Sequence, residues 1–174
     1  VGKYPVLAVE MMHRVALVTA AELRASPQEP SPPAALRGAR HIIPALAHGA
    51  WHMARDIGAK AMVIWSQSGG GARYLSRHSF HIPIVAFSSD ERAVRRMNLL
   101  YAVFPVLWMD VPNHRTEFAR SADRLLLDEG WVERNDPVVL IAGKPMDKPG
   151  SANTVAIRYA GALIADDGAP GAAS

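Results

Sequence analysis

The apolar residues of this chain change period along its length, and those changes mark its elements. Behind Pro5, the residues Val6, Val9, Met11, Met12, Val15, Val18 and Leu23 recur at three- and four-residue steps, which predicts a helix from Pro5 to about Leu23. The pattern breaks at Ser26 to Pro33, where Pro27, Pro30, Pro32 and Pro33 stand among polar residues and read as a stiff linker. From Arg40 onward, helix and strand periods alternate. Ile43, Leu46, Ala47, Ala50, Met53, Ala54 and Ile57 mark a helix that Gly58 ends, and Met62 to Trp65 then form a short buried strand. A Ser/Gly loop and a short helix follow. Next come a strand at Ile84 to Phe87, a helix capped by Ser88, Ser89 or Asp90 and running to about Leu100, and a strand at Val103 to Trp108. Arg115 to Glu129 is helical, with Phe118, Ala122, Leu125 and Leu126 on one face and Gly130 closing it. Val138 to Ala142 and Thr154 to Tyr159 are the last two strands.

Short apolar strands separated by helices predict an α/β fold: a three-layer αβα sandwich around a five-stranded, mostly parallel sheet. The loop from Gly143 to Asn153 holds Pro145, Pro149 and Gly150 and leaves no room for a helix, so the last strand returns antiparallel. The expected organisation is a separate helix at 1–24, a Pro-rich linker at 25–38, the α/β domain at 39–160 and a disordered tail at 161–174.

Composition narrows the function classes. With 174 residues, 49% hydrophobic and 20% charged, the chain has enough apolar mass for a real core. A net charge of +3, scattered without basic runs among aromatics, argues against a nucleic-acid partner. The absence of cysteine excludes disulfides and thiolate metal or redox chemistry and fits a cytoplasmic location. No apolar stretch approaches a membrane span and the N-terminus has no signal-peptide pattern, so a soluble protein without a membrane partner is expected.

The stretch with the clearest chemistry is Ala61 to Arg77, AMVIWSQSGGGARYLSR. A strand runs into a Ser/Gly loop that opens a helix, so backbone amides converge and phosphate is the natural guest. The alternative is a tight strand-to-helix turn with no ligand. Tyr74 stands where a dinucleotide fingerprint needs its third glycine, and no Gly-Lys-Ser/Thr follows as in a P-loop. His48 and His52 have the one-turn spacing of a metal chelate but lack a third ligand, so no metal site is expected. Ser66 and Ser68 lack a nucleophile elbow and a histidine partner, and no catalytic residues are assigned.

Taken together, the ordered motifs resemble the C-terminal domain of pyruvate kinase. Gly2-Lys3-Tyr4-Pro5 with Ala8, Val9 and Met12 is similar to the G-x-Y-P-x-x-A-V-x-x-M that begins the last helix of that family's catalytic barrel. Gly58-Ala59-Lys60-Ala61 precedes Ser66-Gln67-Ser68-Gly69, where the family shows T-x-S-G, and Ala72, Arg73, Ser76 and Arg77 continue the match. Val103-Phe104-Pro105-Val106, the turn from Gly130 to Asp136, and Pro149-Gly150-Ser151-Ala152-Asn153-Thr154 resemble the family's G-V-x-P-V, G-x-x-x-x-G-D and P-G-x-T-N-T.

The resemblance implies a regulatory and assembly domain, joined to its own catalytic barrel, from an enzyme that moves a phosphoryl group from phosphoenolpyruvate to ADP with Mg²⁺ and K⁺. It implies that helix 1–24 belongs to that barrel, that the catalytic residues lie upstream of Gly2, and that this chain holds no cofactor and is inert alone. It also implies a tetramer in the cytoplasm and a pocket for a sugar phosphate or nucleotide effector. Carried onto this sequence, that pocket comprises Ser66, Gln67, Ser68, Gly69, Gly70 and Gly71, faced by Lys144, Gly150, Ser151 and Asn153 from the loop at 143–153.

Departures from the family pattern open a second reading. Effector-binding members commonly place a basic residue and then a hydroxyl where this chain has Gly70 and Gly71, and a threonine where it has Ala152. Each lost bond is worth about 1 to 3 kcal/mol. Lys144 and Lys148 either compensate or are simply solvated. The alternatives are therefore an effector domain, a subunit-contact module that has lost its ligand, and a free-standing phosphate-ester enzyme, for which no general base or metal site can be assembled.

Overall fold

The structure, a computed structural model, describes residues 2–25, 42–78 and 81–164. The expected linker from residue 26 and the tail from residue 165 lie outside them. The chain divides into two units, residues 1–32 and 33–174.

The first unit is helix α1, Pro5–Ala25. Its apolar side chains point in every direction rather than to one stripe, and Val6, Leu7, Val9, Met12, Val15 and Val18 are all more than half exposed. A helix apolar all round belongs in a packed interior.

In the second unit the order is α2 (Ile42–Asp56), β1 (Ala61–Trp65), α3 (Gly70–Ser76), β2 (Ile84–Ser88), α4 (Glu91–Met97), β3 (Val103–Leu107), α5 (Arg115–Asp128), β4 (Pro137–Gly143) and β5 (Ala152–Tyr159). Gly58 turns the chain out of α2 at φ +63°, a left-handed value that suits glycine. Asp90 caps α4, its carboxylate accepting from the Arg92 N–H at 2.8 Å. Gly161–Ile164, expected as the start of the tail, form a turn, in which the Ile164 N–H donates to the Gly161 carbonyl at 3.0 Å and Leu163 packs on the core.

The five strands form one sheet in the order β3-β2-β1-β4-β5. β1, β2, β3 and β4 are parallel, and β5 runs antiparallel to β4. The α/β class and the antiparallel last strand are those expected from the sequence. Alternation along β1 sends Met62 and Ile64 to one face, where Ala47, Ala50, Ala72, Leu75 and Met97 pack, and Ala61, Val63 and Trp65 to the other, where Phe118, Ala122 and Leu126 pack. Helices α2, α3 and α4 thus cover the first face and α5 the second. Phe118 meets Trp65 and Phe87 edge-on, at ring separations of 5.6 and 5.3 Å. Beside it, Asp123 on α5 is buried against Arg158 of β5, whose guanidinium donates to the carboxylate at 2.8 Å.

β3 is an edge strand with Pro105 at its centre, opposite Ala86. The Trp108 N–H reaches inward to the Ser88 carbonyl. By the alternation of a parallel ladder, the N–H of position 105 would face outward, so proline removes a donor from the open edge and none from the sheet.

Candidate functional site

The connection from β1 crosses one face through α3 to reach β2, whereas β4 lies on the opposite side of β1 and is reached across the other face through α5. The strand order therefore reverses between β1 and β4. At such a point the loops leaving the carboxyl ends of neighbouring strands diverge and open a crevice. Here those loops are Ser66–Gly69 and 144–151, the two segments singled out in the sequence.

The first loop is held by its own backbone and by the end of β2. The Gly69 N–H donates to the Ser66 carbonyl at 2.9 Å, and Gly69 has φ +80°. A Cβ there would lie 3.1 Å from Met97, so position 69 needs glycine for both conformation and space. Buried Ser66 accepts from the Ala72 N–H through Oγ at 3.2 Å. Gln67 clamps the loop to the neighbouring strand. Its side-chain amide donates to Ser89 Oγ at 2.7 Å, its Oε1 accepts from the Trp65 indole at 3.2 Å, and its carbonyl accepts from the Ser88 hydroxyl at 2.9 Å.

The second loop folds back tightly. The Ser151 N–H donates to the Lys148 carbonyl at 3.3 Å, and Met146 is buried beneath it. Gly143, the last residue of β4, meets β5 so closely that a Cβ there would overlap the Ser151 carbonyl.

Between the loops lies a cleft of about 170 Å³. Of the residues expected from the sequence, it brings together Ser66, Gln67, Ser68, Gly70 and Gly71 with Gly150 and Ser151. It does not take in Gly69, which backs onto α4, Lys144, which is exposed, or Asn153, which lies in β5 rather than the loop. Ala152 also lies in β5, and it lines the cleft. Lys148 is the one cation on the wall among the described residues. The sequence reading missed the apolar wall of Ile43 and Pro44 from α2, Trp65, Tyr74 and Met146. Only the topology brings α2 to the mouth of β1, so no local pattern signals it.

The two glycines that replace the family's polar pair are not equivalent. A Cβ at Gly70 meets only Ser68 Oγ, at 3.7 Å. A Cβ at Gly71 points into the core, 2.7 Å from Ile64 Cδ1 and 3.3 Å from Ser66 Oγ. α3 is a helix of seven residues and carries a small dipole, so hydroxyls, loop amides and Lys148 are what the cleft offers an anion. Among the described residues no group of three His, Cys, Asp or Glu is placed to hold a metal ion, and no helix is long and apolar enough to cross a membrane.

A mostly parallel sheet covered by helices on both faces, with a cleft at the point where its strand order reverses, defines the class: an α/β domain. The family described as "Pyruvate kinase, alpha/beta domain" matches residues 44–158, and the chain belongs to that family. It is 26% identical over 164 residues to a pyruvate kinase of Lactobacillus delbrueckii subsp. bulgaricus, covering 94% of this chain and 28% of that protein. It is 30% identical over 167 residues to one of Mycobacterium tuberculosis, covering 92% and 33%. Against the chloroplastic isozyme G of Nicotiana tabacum it is 31% identical over 140 residues, covering 80% and 24%. The chain thus spans a third or less of the length of these relatives.

Proposed function

We propose that this chain is the C-terminal regulatory and subunit-contact region of a cytoplasmic pyruvate kinase. The parent enzyme would convert phosphoenolpyruvate and ADP to pyruvate and ATP in glycolysis, with Mg²⁺ and K⁺ held by an upstream barrel. α1 is the last helix of that barrel, which accounts for apolar side chains on all its sides. The cleft takes a phosphate-bearing effector, a sugar phosphate or a nucleotide. The observation that carries this reading is the position of the cleft, at the carboxyl ends of β1 and β4 where the strand order reverses.

A second reading keeps the fold and drops the ligand: a subunit-contact module within a tetramer. It is favoured by the composition of the walls. The Gln67 side chain is engaged with Trp65 and Ser89, position 70 lacks a basic side chain, and Lys148 is the one cation among the described residues lining the cleft. Calorimetry with fructose 1,6-bisphosphate, ribose 5-phosphate, glucose 6-phosphate and AMP separates the two. Saturable heat that Lys148→Ala weakens supports the effector site, and silence from all four at millimolar concentration supports the module.

A further inference from the structure

Away from the cleft, the structure brings a third imidazole, distant in sequence, to a pair of neighbouring ones. His48 and His52, one turn apart on α2, approach to 3.2 Å between their Nε2 atoms, with rings edge-on at 4.6 Å. His78, just beyond the C-cap residue Arg77 of α3, lies 5.7 Å from the His48 ring and stacks on Trp51 at 6.1 Å. Arg55 completes the group: its Nη2 is 3.4 Å from His52 Nδ1, its guanidinium lies over Trp51 at 4.8 Å, and its Nε pairs with exposed Asp56 at 3.2 Å. From the α3 side the nearby cation is Arg77, stacked on Tyr74 at 5.8 Å.

Arg55 has only donors, so its contact needs a lone pair on His52 Nδ1; with that tautomer His52 Nε2 is the donor and His48 Nε2 the acceptor of the contact between them. His48 Nδ1 is buried without a hydrogen-bond partner among the described residues. A charge on His78 faces His48 and His52 across the boundary between the two helices.

We propose that His78, packed against His48 and Trp51, forms an acid-sensitive latch between α2 and the end of α3, closed while His78 is neutral and opened when it takes up a proton. The same two helices carry Ile43, Pro44, Gly70, Gly71 and Tyr74 of the cleft, so opening the latch loosens its walls whatever they bind. Burial first, then the charges of His48 and His52, hold the His78 pKa below its ordinary value. The sign follows from linkage. The unfolded chain takes up the proton more readily than the folded one, so stability is complete above about pH 6.5 and is lost as pH falls through and below that value.

The test uses the full chain. Thermal unfolding at about pH 7.5 and about pH 5.5 brackets the ordinary imidazole range. The melting temperature is expected to drop at the lower pH, and His48→Gln and His78→Gln are each expected to remove a large part of that drop. Hydrogen exchange, corrected for intrinsic rates, is expected to accelerate at low pH in 44–57 and 71–78 more than in β2. An acid sensitivity unchanged in both variants, or acceleration spread evenly over strands and helices, overturns the latch. Should the variants fail to fold, side-chain NMR titration of the unmutated protein decides. A His78 midpoint clearly below about 6.5 supports the proposal, and one at or above it refutes it.

Discussion

Adjacent glycines at 70 and 71 respond oppositely to the same change. Neither has a left-handed φ, so space decides. At position 70 an added Cβ finds ordinary contact with Ser68, and replacing glycine by alanine in a first helical turn gains about 0.5 kcal/mol of chain entropy. At position 71 the same Cβ comes within 2.7 Å of Ile64 Cδ1, on a side chain of β1 that is buried in the cluster beneath α2 and α3. Overpacking of this kind costs about 1 to 3 kcal/mol, which exceeds the entropic gain. Gly71→Ala is expected to lose about 0.5 to 2 kcal/mol, and Gly71→Thr, with a second branch at Cβ, about 2 to 3 kcal/mol. At about 3 °C per kcal/mol for a domain of this size, calorimetric scans are expected to place Gly70→Ala about 1 to 2 °C above the parent and Gly71→Thr about 6 to 9 °C below it. The hydroxyl of Gly71→Thr would then lie against Ser66 instead of an anion, so no gain in phosphate affinity is expected. Equal stabilisation by Gly70→Ala and Gly71→Ala, or tighter sugar-phosphate binding by an intact Gly71→Thr protein, would refute the packing argument.

Other outcomes follow from contacts already described. Arg158→Ala strands the buried Asp123 carboxylate and is expected to cost about 3 to 5 kcal/mol in denaturant unfolding, much of which a second change, Asp123→Leu, recovers. Gly143→Ala, whose Cβ would overlap the Ser151 carbonyl, is expected to cost more than about 3 kcal/mol and to disorder 144–151, visible as rapid proteolysis there. Deleting residues 1–33 is expected to cost well under the roughly 3 kcal/mol of a packed core helix, because the apolar residues of α1 are largely exposed. In a coupled lactate dehydrogenase assay the chain alone is expected to show no phosphoenolpyruvate-dependent turnover. Activity that survives repurification would contradict that expectation.

The elements were legible where local patterns are strong. Five-residue apolar runs such as Ala61–Trp65 have both faces covered, and Gly58, Asp90 and Gly130 stop or start helices by backbone chemistry that any neighbourhood preserves. The ends of β4 and β5 were harder. Thr154 looked like the start of β5 because Ser151-Ala152-Asn153 are small or polar, yet pairing with Gly143 draws Ala152 and Asn153 into the strand. Within the site, the Ser/Gly loop and the facing turn were readable as motifs, whereas the role of Gln67 depends on Ser88 and Ser89 arriving beside it from β2. The buried pair of Asp123 and Arg158, 35 residues apart, and the meeting of His78 with His48 likewise arise from sheet order, which no period along the chain encodes.

Pro105 gives the sheet a direction in which it cannot grow. A strand laid against the outside of β3, from a sister molecule or a misfolded one, would find a missing donor midway and a ring in its path. β5 has no such interruption over its eight residues. Crowded chains that escape their proper partners should therefore cohere through one margin only, pairing off and then stopping where an unblocked sheet would go on adding strands.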